Sequence, residues 1–159
     1  MLTIAFSGTL SPTNIHFLKH LAEQGNRLLV VDNENFSEAL IEELQEQIPN
    51  SEIEIASCLK DSCWEADVII LSSKTINDNQ VIKNIKEVST QKPVICLSEE
   101  NNSEEFNKLE QFLSHSKLAL VRLNSQKREA RILMTSEEAE PRHFFEGINY
   151  TLVPEKHED

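Results

Sequence analysis

Short apolar runs alternate with amphipathic stretches along this chain, the pattern of a largely parallel sheet covered by helices. Leu2 to Phe6 reads as a first strand. Ser11 and Pro12 then mark a helix start, with Ser11 as N-cap and Pro12 at the first helical position, where its missing N–H costs nothing. Ile15, Leu18, Leu21 and Ala22 follow at helical spacing, and Gly25 ends the helix. Leu28 to Val31 reads as a second buried strand that stops at Asp32. Asn35 with Glu38 forms a capping-box-like start for a helix whose apolar face is Leu40, Ile41, Leu44 and Ile48, closed by Pro49. Ile53 to Ala56 alternates as a short strand, Cys58 to Glu65 is a connecting turn or short helix, and Val68 to Leu71, apolar on both faces, is a central strand.

The second half continues the alternation. Asp78 caps a helix carrying Val81, Ile82, Ile85 and Val88, and Pro93 to Leu97 is the next strand. Asn102 with Glu105 opens a helix that turns Phe106, Leu109, Phe112 and Leu113 inward. Leu118 to Leu123 and Arg131 to Met134 are strands joined by a polar turn at Ser125 to Glu129. That link is too short for a parallel crossover, which takes a dozen or more residues, so the two strands pair antiparallel. A last helix near Arg142 to Glu146 ends at Gly147, and Tyr150 to Val153 adds an edge strand. The expectation is one α/β domain over residues 1–154, a three-layer sandwich with a mainly parallel sheet and an antiparallel C-terminal hairpin, followed by a polar tail, 155–159.

Charge narrows the partners. Fifteen Lys and Arg stand against 27 Asp and Glu, a net charge of −12. So acidic a surface argues against nucleic acid, whose phosphates need clustered cations, and against docking on an anionic membrane. No apolar run approaches the roughly 20 residues that span a bilayer. The segment Met1 to Phe6 has neither the basic leader nor the long apolar stretch of a signal peptide. Cys58, Cys63 and Cys96 are odd in number and form no Cys-x-x-Cys pair, which suits reduced thiols in a cytoplasmic protein. Cys96 reads as a small buried hydrophobe, and Cys58 and Cys63 as structural or incidental.

One unit carries chemistry. Dinucleotide-binding β-α-β units seat a pyrophosphate on a helix N-terminus reached through a glycine turn, and an acidic residue after the second strand binds ribose hydroxyls. Gly8 follows the first strand, Asp32 follows the second, and 24 positions separate them. Leu2 to Asp32 therefore resembles the Rossmann NAD(P)-binding superfamily, and the expected architecture is Rossmann-like. The glycine motif is degenerate. Against Gly-x-Gly-x-x-Gly this chain has Gly8, Leu10 and Thr13; against Gly-x-x-Gly-x-x-Gly it has Gly8, Ser11 and Asn14. A Leu10 side chain in place of the second glycine could fill the space the pyrophosphate needs. The helix dipole would remain, and Thr9, Ser11 and Thr13 offer hydroxyls. Asp32 favours NAD over NADP, because a carboxylate repels the 2′-phosphate.

Two relatives follow from these residues. With His16 and Asp32-Asn33, the first unit is similar to sugar-nucleotide epimerases of the extended short-chain dehydrogenase family. That family's Tyr-x-x-x-Lys pair is missing, since Tyr150 is the sole tyrosine and Pro154 stands four residues on. Ala66 to Leu71, the hairpin around Ser125, and the closing helix and strand resemble the deazaflavin-dependent NADP oxidoreductase family over most of the chain. This second resemblance implies that the loop at Ser72, Ser73 and Lys74 lies against the nicotinamide end of a cofactor. The family's glycine motif and basic NADP-phosphate residues do not carry over.

The remaining candidates give bland readings. His16 and His20 are spaced like paired metal ligands, but no zincin glutamate lies between them, and two histidines on a solvated face is the expectation. No metal is expected. No nucleophile–base arrangement surrounds His115, His143 or His157, so no catalytic residue is identified. The reading is an NAD(P)-binding, oxidoreductase-related protein of unknown substrate. Gly8, Thr9, Leu10, Ser11, Asp32, Ser72 and Ser73 line its site for a small nucleotide ligand. No helical substrate or dimerisation region follows the nucleotide unit within these residues, so catalysis would depend on a partner subunit, such as a second copy in a homodimer, or on substrate held mainly by cofactor. The alternative is a non-catalytic binding or interaction protein that has lost its cofactor.

Overall fold

The structure, a computed structural model, describes residues 1–31, 37–72, 78–98, 103–136 and 139–154. In chain order its elements are β1 (Thr3–Ser7), α1 (Pro12–Glu23), β2 (Arg27–Val31), α2 (Ser37–Gln47), β3 (Glu52–Ala56), α3 (Leu59–Glu65), β4 (Val68–Ser72), α4 (Asn79–Lys86), β5 (Pro93–Leu97), α5 (Ser103–Phe112), β6 (Lys117–Asn124), β7 (Glu129–Thr135), α6 (Ala139–Gly147) and β8 (Thr151–Pro154). Eight strands form one sheet in the order β3-β2-β1-β4-β5-β6-β7-β8. The first six are parallel, β7 returns antiparallel to β6, and β8 runs parallel to β7. The expected antiparallel hairpin is therefore present. Strand ends differ from the apolar runs by a residue or two, as polar residues such as Ser7 and Ser72 extend the ladder.

Alternate strand residues feed two apolar layers, as the period of two along a strand requires. Ile4, Phe6, Leu28, Val30 and Ile70 meet α1 (Phe17, Leu18, Leu21), α2 (Ile41, Leu44) and α6 (Phe144, Phe145) on one face. Ala5, Ile69, Leu71, Val94 and Cys96 meet Cys63 of α3, Val81, Ile82 and Ile85 of α4, and Phe106 and Leu109 of α5 on the other. The result is the three-layer α/β sandwich of Rossmann type. All five residues of β4 are buried, as the doubly apolar run required. At the edge, β3 buries only Ile53 fully and leaves Ile55 46% exposed.

The helix starts follow local chemistry where they are described. Ser11 Oγ accepts from the Asn14 N–H, with Pro12 at the first position. Asp78 Oδ1 accepts from the N–H groups of Gln80 and Val81. Past the end of α1, Gly25 takes φ +84°, the left-handed conformation that favours glycine. The starts assigned to Asn35 and Asn102, and the tail 155–159, lie outside the described residues.

Two expectations are corrected. Phe112 does not face inward: it is 46% exposed with the Lys86 ammonium 5.4 Å from its ring centroid. Phe106, Leu109 and Leu113 already fill the core-facing positions of that segment. His16 and His20 do not share a solvated face either. His16 is exposed, while His20 is buried, donates from Nε2 to the Ile148 carbonyl oxygen and packs against the Tyr150 ring. The α6–β8 segment covers this side of α1, so a position that helical spacing leaves at the margin of the apolar face becomes interior.

Candidate functional site

The order β3-β2-β1-β4 means that the chain reverses its direction of progress between β1 and β4. Diverging connections leave a crevice at the carboxyl ends of these two strands, where open α/β sheets place their ligands. Gly8 follows β1 there, and Ser72 closes β4.

These residues meet directly. Gly8 has φ +142°, and a Cβ at this position would overlap Ser72 Oγ and Cβ and lie 3.0 Å from the Ser72 nitrogen. Only glycine relieves both the backbone strain and the overlap. The Thr9 N–H donates to Ser72 Oγ at 2.9 Å, across 63 residues of sequence. Asn14 Nδ2 donates to the Thr9 carbonyl oxygen at 2.9 Å, so the turn is tied to β4 on one side and to α1 on the other. Sequence reasoning saw Asn14 only as a missing third glycine. Its position three residues after the Ser11 cap was the available signal for a tethering role.

The other candidates fall into place around this turn. Ser11 holds the start of α1 and is partly buried. Leu10, partly buried, packs its side chain against the core cluster. No acidic residue lies in the first turn of α1, so nothing there opposes the positive end of its dipole. β2 ends at Val31, paired with Ser7 of β1. Asp32, Ser73 and Lys74 lie outside the described residues. Thus Gly8, Thr9 and Ser72 are brought together, with Leu10 and Ser11 on the same turn.

Other reactive side chains lie away from it. Burial pushes the Cys96 thiol up to about 12 and the Cys63 thiol to a similar value, the latter eased slightly by the Lys92 ammonium. Among the described residues no group of three or more His, Cys, Asp or Glu side chains is arranged to hold a metal ion. No helix there is long and apolar enough to cross a membrane.

Fold and turn together define a class of architecture, the Rossmann-type three-layer α/β sandwich. No protein-family model matches the chain, and no curated protein matches it. Solved structures do. A UDP-glucose dehydrogenase from Pyrobaculum islandicum aligns with a TM-score of 0.72 at 10% identity, over 98% of this chain and 46% of its own. A 3-hydroxyacyl-CoA dehydrogenase from Archaeoglobus fulgidus gives 0.68 at 16% identity, over 100% of this chain and 58% of its own. Pyrroline carboxylate reductase from Plasmodium falciparum, solved with NADP bound, gives 0.65 at 14% identity, over 98% and 58%. At such identities the likeness defines the fold, and the chain spans about half the length of the structures it matches.

Proposed function

We propose that residues 1–154 form an NAD(P)-binding, oxidoreductase-related unit that seats a dinucleotide's pyrophosphate at the N-terminus of α1. The observation that carries this reading is the turn itself: Gly8 takes φ +142° against Ser72 and leads into an α1 start without acidic residues, while the partly buried Leu10 packs against the core. Thr9, Ser11 and Thr13 would hold the phosphates, with Gly8 setting the turn. Ser72 and Ser73 would stand toward the nicotinamide end, and Asp32 would take the ribose and favour NAD. A bound nicotinamide would supply hydride transfer. The free thiols Cys58, Cys63 and Cys96 support a cytoplasmic setting. The reading also admits a homodimer as the assembly in which this unit works.

A second reading, a Rossmann-fold scaffold that acts through protein contacts without cofactor, draws on the donors of the turn. The Thr9 and Asn14 amides are already bonded to Ser72 and Ser11, and Pro12 has none, so fewer N–H groups face an anion. Thermal-shift titration with NAD⁺, NADH, NADP⁺ and NADPH separates the two. Ligand at tenfold its Kd stabilises by about 1.4 kcal/mol, a rise of roughly 3–6 °C for a chain of this size. A saturable rise supports the dinucleotide reading. Unchanged melting at millimolar concentrations of all four overturns it, and a clear preference for NADP(H) overturns the role given to Asp32.

A further inference from the structure

The antiparallel pairing of β6 with β7 sets Arg122 directly opposite Arg131. Side chains opposed in this way share one face of the sheet, and like charges so placed repel. The chain has carboxylates in excess with which to neutralise them, 27 against 15 basic residues. Arg27 shows what that looks like, since its guanidinium is bonded to both Glu54 and Glu65. Among the described residues no salt bridge reaches Arg122 or Arg131; the ion pairs there belong to Arg27 and Lys60.

Both arginines instead line a cleft of about 590 Å³ together with Thr13, Asn124, Ser125 and Glu129. Two guanidinium groups against the single Glu129 carboxylate leave the cleft net positive in a protein of charge −12. Thr13 brings in the first turn of α1, which carries no acidic residue, so the helix dipole adds to the same sign. Because β6 is parallel to β1 and β4 across the sheet, its Arg122 end lies on the edge that carries Gly8 and Ser72.

We infer that Arg122 and Arg131 form a two-guanidinium clamp for the carboxylate or phosphate group of a small-molecule ligand. Planar guanidinium groups match the paired oxygens of either anion, and a bound anion would remove the repulsion that the free pair sustains. The clamp requires no nucleotide, and its cleft adjoins the β1–α1 turn through Thr13.

Calorimetric titration of the nucleotide-free protein with inorganic phosphate and with succinate, at constant chloride, tests it on wild type, R122Q, R131Q and R122K. Wild type is expected to bind one or both probes saturably, and whichever binds identifies the anion. Each Gln variant is expected to lose about tenfold or more in affinity, and R122K severalfold because a lysine keeps the charge without the fork. The Gln variants should melt at or above the wild-type temperature, since the opposed charges are gone. Absence of saturable binding by both probes overturns the clamp. So does phosphate that binds all four proteins alike, because that anion would sit at the α1 turn instead.

Discussion

Replacing Gly8 by alanine tests the geometry on which the candidate site depends. The new Cβ would stand where Ser72 Oγ and Cβ now lie, 3.0 Å from the Ser72 nitrogen, and the residue would have to hold φ +142°. Holding a non-glycine residue in so sparsely populated a conformation costs about 1–3 kcal/mol. Forcing a methyl into filled space costs about 1–3 kcal/mol more. G8A should therefore lose roughly 2–6 kcal/mol, which lowers Tm by about 5–20 °C in a domain of this size. Urea denaturation of wild type, G8A, S72G and G8A/S72G completes the argument as a double-mutant cycle. S72G removes the overlapping side chain but leaves the backbone strain, so the G8A penalty should shrink by about 1–3 kcal/mol in that background. A G8A protein as stable as wild type, or an equal penalty in both backgrounds, would refute the close approach of the turn to β4.

Three further outcomes follow from the same structure. His20→Ala should destabilise by about 2–4 kcal/mol, because it empties a buried site and strips the Ile148 carbonyl of its donor. His16→Ala, on an exposed position, should stay within about 0.5 kcal/mol by the same denaturation assay. Ellman titration should find the exposed Cys58 thiol in native protein and all three in denaturant, since Cys63 and Cys96 are buried. Their raised folded-state pKa values also set a pH dependence. The unfolded chain ionises near 9 while the folded thiols hold their protons to about 12, so stability is full below pH 9 and falls above it. The slope approaches about 1.4 kcal/mol per pH unit for each thiol, and C96A should flatten it in alkaline melts.

The layered fold was legible in the sequence because its signals are local and repeated. Doubly apolar Val68 to Leu71 became a fully buried β4, and the short polar link after Leu123 forced the antiparallel return. The Ser11-Pro12 start of α1 was legible for the same reason, since a cap and its helix are adjacent in the chain. Contacts made across long separations were not. Nothing near Gly8 announces that Ser72 will occupy the space its missing Cβ leaves, and nothing near His20 announces Ile148 and Tyr150. Leu10 shows the limit in another form. The sequence places it at a glycine position and suggests obstruction, yet which way the side chain turns depends on the core beneath it. Arg122 and Arg131 were invisible for a related reason, because register brings together residues that spacing alone does not relate.

The central claim is that the β1–α1 turn seats a dinucleotide. The most direct measurement is a ¹H–¹⁵N correlation spectrum of the labelled protein titrated with NAD⁺ or NADH. The account predicts saturable shifts concentrated on the amides of Gly8, Thr9, Leu10, Ser11, Thr13 and Asn14, with Ser72 following through its bond to Thr9. A spectrum unchanged at millimolar ligand, or saturable shifts confined to other elements, would contradict it.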